Sequence, residues 1–163
     1  MKNLIVSFMV LMIAWLLLNW TVDPVNLIIG VSVSLFLSFI FCSKCDLFTD
    51  INLTPKAFAY TFLYLFVFII ELIKANIDVT RRVLSPSLPI NPGIVKVKTK
   101  LKSKMARLIL ADSITLTPGT FTLQVEDDAF YIHCIDASGE EDVEKATEAI
   151  VRKFEKYLEV LYD

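Results

Sequence analysis

Charge is missing from most of the first 43 residues of this chain: none occurs between Lys2 and Asp23, and none between Asp23 and Lys44. Each gap is close to the run of about 20 apolar residues that crosses a hydrocarbon core as a helix. Histidine occurs once and cysteine three times, so ligands for a transition metal are few. Cys42 and Cys45 have the spacing of a redox or metal pair, but a structural zinc site takes four ligands. The remaining candidates of that kind are His133 and Cys134. On the topology argued below these lie across the membrane from Cys42, and as strand neighbours they point to opposite faces. We read the four as membrane-end cysteines, a surface or capped histidine and a buried cysteine, with no metal site and no cofactor. The sequence also lacks a phosphate-binding loop, a nucleophile triad and a paired-carboxylate pocket. No enzymatic activity is expected from it.

What is present is apolar surface, unevenly placed. Of the 163 residues 55% are hydrophobic, mean hydropathy is +0.61 and net charge is −2, too apolar on average for a soluble domain of this size. The first run, Leu4 to Leu18, has the outline of a signal peptide, yet Asn19-Trp20-Thr21-Val22-Asp23-Pro24 offers no small-residue cleavage site, and we read a retained anchor. Trp20 suits the interface, and Asp23-Pro24 ends the helix. A third run extends from Ala57 to Ile70, is interrupted by Glu71 and continues through Leu72 and Ile73 to Lys74. Thr54-Pro55 supplies a cap and first-turn proline for it. Beyond it Ile70, Ile73, Ile77 and Leu84 keep an apolar stripe opposite Lys74, Asp78, Arg81 and Arg82, the pattern of an amphipathic extension along the membrane surface.

The expected architecture is a membrane protein with three N-terminal transmembrane helices followed by a small α+β cytoplasmic domain. The spans cover about residues 4–21, 25–42 and 56–74, with the extension to 84, so the transmembrane region is 1–84 and the domain 85–163. Lysines and arginines after the third span put the domain in the cytoplasm and the N-terminus outside, with Lys2 opposing that vote.

Within the domain, Val95, Val97, Thr99 and Leu101 alternate with Lys96, Lys98, Lys100 and Lys102, a strand with one lysine face. That face reads as a solvated surface or as attraction to anionic lipid or an acidic partner, and without interleaved aromatics it does not read as a nucleic-acid site. Ser103 begins a short helix. Ile114 and Leu116 alternate with Ser113, Thr115 and Thr117, which predicts a short strand, and Thr117-Pro118-Gly119-Thr120 has the order of a type II turn. Strands follow at Thr120–Glu126 and Ala129–Ile135. Ser138 and Glu141 have capping-box spacing ahead of one last helix with Val143, Ala146, Ile150, Phe154, Tyr157, Leu158 and Leu161 on one face. The order expected is β-α-β-β-β-α.

Two groups in the apolar region invite a functional reading. Glu71 and Lys74, spaced i, i+3, either gate or relay ions beside a partner or pair with each other and lock the helix end. One carboxylate cannot form a transmembrane wire. Gly30, Ser34 and Ser38 recur every four residues as a small-residue face, open both to a partner helix and to packing within the chain.

Leu110-Ala-Asp-Ser-Ile-Thr-Leu-Thr-Pro-Gly-Thr120, with Asn91-Pro-Gly-Ile-Val95 upstream, resembles the E subunit of Mrp-type multisubunit Na+/H+ antiporters and its counterpart in membrane-bound hydrogenase-like respiratory complexes. The resemblance implies a non-catalytic structural or assembly subunit in a prokaryotic cell membrane, supporting monovalent cation transport carried by larger subunits. Its partners would be other membrane subunits and lipid. It assigns Pro92, Gly93, Ser113, Thr115, Thr117, Pro118, Gly119 and Thr120 a structural role. The alternatives are the same subunit within a hydrogenase or sulfur-reductase complex, a self-contained membrane-anchored binding module, and a small oligomeric transporter using Glu71.

Overall fold

The computed structural model describes residues 2–42, 50–52, 54–138 and 142–163. The chain forms two compact units, Met1–Ile51 and Asn52–Asp163.

The first unit is a helical hairpin of α1 (Lys2–Asn19) and α2 (Pro24–Cys42). Both are apolar all round, as helices in lipid are. Trp20, with φ 53°, ends α1 in the left-handed region, and Asp23 accepts the Val25 N–H at 3.1 Å ahead of Pro24. Asn19 donates to the Trp15 carbonyl and Asn26 to that of Thr21, so both amides are satisfied within the unit.

The second unit starts with α3 (Pro55–Leu84), a single helix of 30 residues. Thr54 caps it by accepting the Ala57 N–H at 3.1 Å, with Pro55 in the first turn. The helix therefore includes the amphipathic extension. Next come β1 (Gly93–Lys98), α4 (Lys104–Leu116), β2 (Thr120–Glu126), β3 (Ala129–Cys134), α5 (Val143–Ile150) and α6 (Arg152–Tyr162). The strands form an antiparallel sheet of order β1-β3-β2. Val95, Val97, Phe130, Ile132 and Cys134 on one sheet face are buried with Leu110 and Ile114 of α4, Ala146 and Ile150 of α5, and Phe154 and Leu158 of α6. On the opposite face Ile94, Lys96, Lys98, Phe121 and His133 are exposed. The lysine face and the opposed His133 and Cys134 are thus as expected.

Four local expectations are corrected. Ser113–Leu116 is the last turn of α4 and not a strand. Leu110, Ser113, Ile114 and Thr117 are all buried at i, i+3, i+4 and i+7, a helical spacing that five alternating residues cannot exclude. The hydroxyls also fit a helix, since Ser113 Oγ donates to Ile109 O at 2.5 Å and Thr117 Oγ1 to Ser113 O at 2.7 Å, the back-bonding open to these side chains. Strand β1 ends at Lys98 and not Leu101, because Thr99 Oγ1 and the Lys100 N–H each donate to Glu155 at 2.6 Å and leave the ladder. The final helix is two, meeting at Val151, whose carbonyl accepts the N–H groups of both Phe154 and Glu155. Its start is capped by Asp142, which accepts the Glu144 N–H at 2.9 Å, rather than by Ser138; Glu141 lies outside the described residues. The order is β-α-β-β-α-α. The type II turn is present, with Gly119 at φ 93° and the Thr120 N–H on Thr117 O at 3.3 Å.

Candidate functional site

Within the second unit, the residues singled out in the sequence lie on α3 and around the connection that follows β3. Near the start of α3, Ala57 is 2% exposed, and Tyr60 lies 6.3 Å from the Tyr157 ring of α6. One turn on, the rings of Tyr64 and Phe68 sit 6.5 Å and 6.3 Å from Phe154. Such edge and tilted arrangements suit the ring quadrupoles. The Tyr64 hydroxyl shares a short hydrogen bond with Ser113 Oγ of α4. A motif residue and α3 are thereby tied to each other.

Glu71 comes next along the same face. One carboxylate oxygen takes Lys74 Nζ at 2.7 Å and the other takes Lys153 Nζ of α6 at 3.2 Å. The Glu71–Lys74 pair is the one expected from their spacing; the third partner comes from tertiary packing. In the last turn, Arg82 donates to Asp78 on its own helix, to the carbonyl of Pro89 and to Asp136, each at 2.7 Å. Asp136 Oδ1 also accepts the Ser138 N–H at 3.0 Å. Hydrogen bonds from Ser138, then from Arg82, hold the Asp136 carboxyl down at about 2.

Both motif segments clamp the connection containing Asp136. From one side, Gly119 O accepts the Ile135 N–H at 2.8 Å. From the other, Asn91 donates its N–H to Ile135 O at 3.2 Å, accepts the Ala137 N–H at 2.8 Å and donates its side-chain amide to Ser138 at 3.1 Å. A Cβ at Gly93 would lie 2.8 Å from that of Ala137, so only glycine allows this approach. The exposed Pro92 sits between Asn91 and Gly93. Thr115 and Thr120 serve the backbone: Thr115 Oγ1 accepts the Thr122 N–H at 3.2 Å, and Thr120 Oγ1 reaches Ile114 O at 2.7 Å and Thr117 O at 2.9 Å. Pro118 and Gly119 shape the turn.

Gly30, Ser34 and Ser38 lie in the other unit. A Cβ at Gly30 would fall 2.5 Å from Trp15 Cδ1 of α1, and Ser34 and Ser38 are buried. Trp15 Nε1 donates to Asn26 O at 3.2 Å. This stripe is therefore occupied within the hairpin. Of the expected cysteine pair, Cys42 ends α2 and Cys45 lies outside the described residues. Among the described residues, no three His, Cys, Asp or Glu side chains converge as metal ligands would.

Against this geometry the comparisons with known proteins are consistent. The family pattern described as Na+/H+ ion antiporter subunit matches residues 8–160. The chain belongs to the family of Na+/H+ antiporter E subunits. It is 33% identical over 162 residues to the E1 subunit of the Na+/H+ antiporter of Staphylococcus haemolyticus, covering 93% of this chain and 96% of the relative. It is 36% identical over 135 residues to the corresponding E subunit of Alkalihalophilus pseudofirmus, covering 82% and 83%. Among solved structures it is similar to a chain of the membrane-bound sulfane sulfur reductase, an archaeal respiratory membrane complex, with a TM-score of 0.86 and 41% identity, covering 99% of this chain and all of that one. Membership of the E family makes this a membrane protein and a subunit among other membrane subunits.

The sequence reading singles out neither Tyr64 nor Asp136 nor Lys153. A trace of Tyr64 is legible, since Ala57, Tyr64, Phe68 and Glu71 share one helical face. Asp136 and Lys153 carry no such trace.

Proposed function

We infer that this E-family chain is a non-catalytic structural subunit of a multisubunit Na+/H+ antiporter, supporting monovalent cation transport across a prokaryotic cell membrane. The observation that carries the reading is where its ionisable groups are. The described stretch from α1 to α2 offers only Lys2 and Asp23, at helix ends, and Glu71, Asp78 and Arg82 of α3 are engaged in ion pairs. A proton or Na+ path needs ionisable groups in the membrane that are free to exchange their ligands. This chain supplies anchoring surface and a folded unit, and translocation belongs to its partners. In this reading Glu71 and Lys74 hold structure together, as do Gly30, Ser34 and Ser38 and the two motif segments. Residues 1–84 form the membrane-associated region and 85–163 a cytoplasmic α+β domain, with the lysines and arginines after residue 80 on the positive side of the membrane. Lipid and other membrane subunits are its partners.

The 41% identity to a chain of an archaeal sulfane sulfur reductase complex favours a second host. The same subunit would there support an antiporter-like module of a respiratory complex. Purification of the tagged chain from its native host in mild detergent, followed by mass spectrometry of stoichiometric partners, separates the two. Several polytopic antiporter-like proteins alone identify a free-standing antiporter, and iron–sulfur or nickel subunits among them identify a respiratory host. Recovery of the chain by itself overturns both and leaves a self-contained membrane-anchored module.

A further inference from the structure

The sheet of the second unit is covered by helices on one face only. Across its other face runs one row of residues, Ile94 of β1, His133 of β3 and Phe121 of β2, set opposite one another by the strand register. Ile94 is 65% exposed and Phe121 52%. An antiparallel sheet that turns one face to water ordinarily places polar side chains there. Two large apolar residues on either side of a histidine are therefore the exception on this face, and contiguous exposed apolar surface marks interaction sites. Upstream along the chain, Ile90 and Leu88 are exposed as well. Leu88 is held at φ 42°, a conformation costly for a bulky residue, and the chain accepts that strain without burying the side chain.

The next row holds Lys96, Tyr131 and Gln124. Lys96 Nζ lies over the Tyr131 ring, 5.5 Å from its centroid, and has no carboxylate partner among the described residues. Beyond it the charges are matched: Lys98 meets Asp128 at 3.6 Å, and Glu126 accepts Gln124 Nε2 at 2.6 Å. The face thus presents an apolar row beside one unmatched cation. An anionic lipid surface would meet Glu126 and Asp128 along with Lys96, and their charges oppose it. A protein segment carrying a carboxylate in register with Lys96 meets no such opposition. Spacing points to the form of that segment. Neighbouring strands are about 4.8 Å apart, so Ile94 and Phe121 are separated by about 9.6 Å across β3. Positions i and i+7 of an α-helix are about 10.5 Å apart. A helix laid across the strands brings apolar side chains at i, i+3 or i+4, and i+7 over Ile94, His133 and Phe121 in turn, the usual way in which a sheet face is covered.

We propose, on the reading that this chain is one subunit of a multisubunit membrane complex, that the open face of its sheet seats an amphipathic helix of a neighbouring subunit. The helix sets its apolar ridge on the Ile94–His133–Phe121 row and an Asp or Glu against Lys96. The choice between an antiporter and a respiratory host does not enter.

The test is made in the intact complex. The photoreactive residue p-benzoylphenylalanine replaces Phe121 in the tagged chain in its native host, cells are irradiated, and the complex is purified in mild detergent. The expected product is a crosslink to one co-purifying subunit, mapped by mass spectrometry to a helical segment with an Asp or Glu within about a turn of the attachment point. The same label in place of Lys145, exposed on α5 on the other side of the sheet, should not give this product. Lys96→Glu should lower its yield at least about tenfold, because like charges brought together in an interface are costly, and Lys96→Arg should keep it. Exchanging the partner's carboxylate for lysine should restore the yield in the Lys96→Glu background, which a merely damaged sheet would not allow. Absence of any crosslink with the neighbouring subunits present at full stoichiometry overturns the proposal while the chain remains a subunit. A crosslink only to lipid, to a second copy of this chain or to a segment without a carboxylate overturns it too. Recovery of the chain without partners removes the subunit reading itself, and this docking site with it.

Discussion

Lys153 of α6 reaches Glu71 of α3 at 3.2 Å across 82 residues of sequence. With Lys74 on the other carboxylate oxygen at 2.7 Å, Glu71 joins two helices instead of facing an ion path. Replacing Glu71 by Gln should cost about 0.5–1 kcal/mol, the range of partly exposed ion pairs. Thermal unfolding of the purified chain in detergent should fall by about 2 °C. Na+/H+ exchange by the assembled complex should persist. Loss of exchange with assembly intact would make Glu71 a relay after all.

Asp136 titrates well below its ordinary value of 3.8, at about 2, through hydrogen bonds from Ser138 and then Arg82. Because the folded state lowers this pKa, the contribution is complete above about pH 4 and is lost as pH falls toward 2. Asp136→Asn should flatten the pH dependence of unfolding in that window and leave it unchanged at higher pH. A carboxyl resonance for Asp136 titrating near 4 would contradict the latch to Arg82.

Gly119 combines φ 93° with a near approach to Ile135, whose Cγ2 would lie 3.1 Å from an added Cβ. Gly119→Ala should therefore destabilise by about 1–3 kcal/mol, measured by denaturant unfolding. Wild-type stability in this variant would mean that the turn relaxes without strain.

Tyr64 and Ser113 share a hydrogen bond between α3 and α4, and Ser113 is buried. Tyr64→Phe and Ser113→Ala should each cost about 1 kcal/mol. In combination they should cost less than their sum, with a coupling of at least about 0.5 kcal/mol. Strict additivity would show that the hydroxyls act separately.

The reading of Ser113–Thr117 shows where local pattern stops being informative. Alternation over five residues suits a strand, but the same residues also offer Leu110, Ser113, Ile114 and Thr117 at helical spacing. Burial chose between them, because Leu110 and Ile114 enter the core with Phe130 and Ile132 of β3 while Tyr64 meets Ser113. At Lys96 and Lys98 the conflict does not arise, since their neighbours Val95 and Val97 leave only one face to bury.

Local chemistry in the sequence was enough to determine the apolar helical hairpin, the Thr54-Pro55 start of α3, the lysine face of β1 and the Pro118-Gly119 turn. Each depends on residues within a few positions of one another, through periodicity, capping or allowed φ. The tertiary structure alone decided what α3 faces. Its partners, Ser113, Gly119, Asp136, Lys153 and Phe154, come from separate later elements. Hydropathy measures how apolar a helix is, but not which of its faces is already covered by protein.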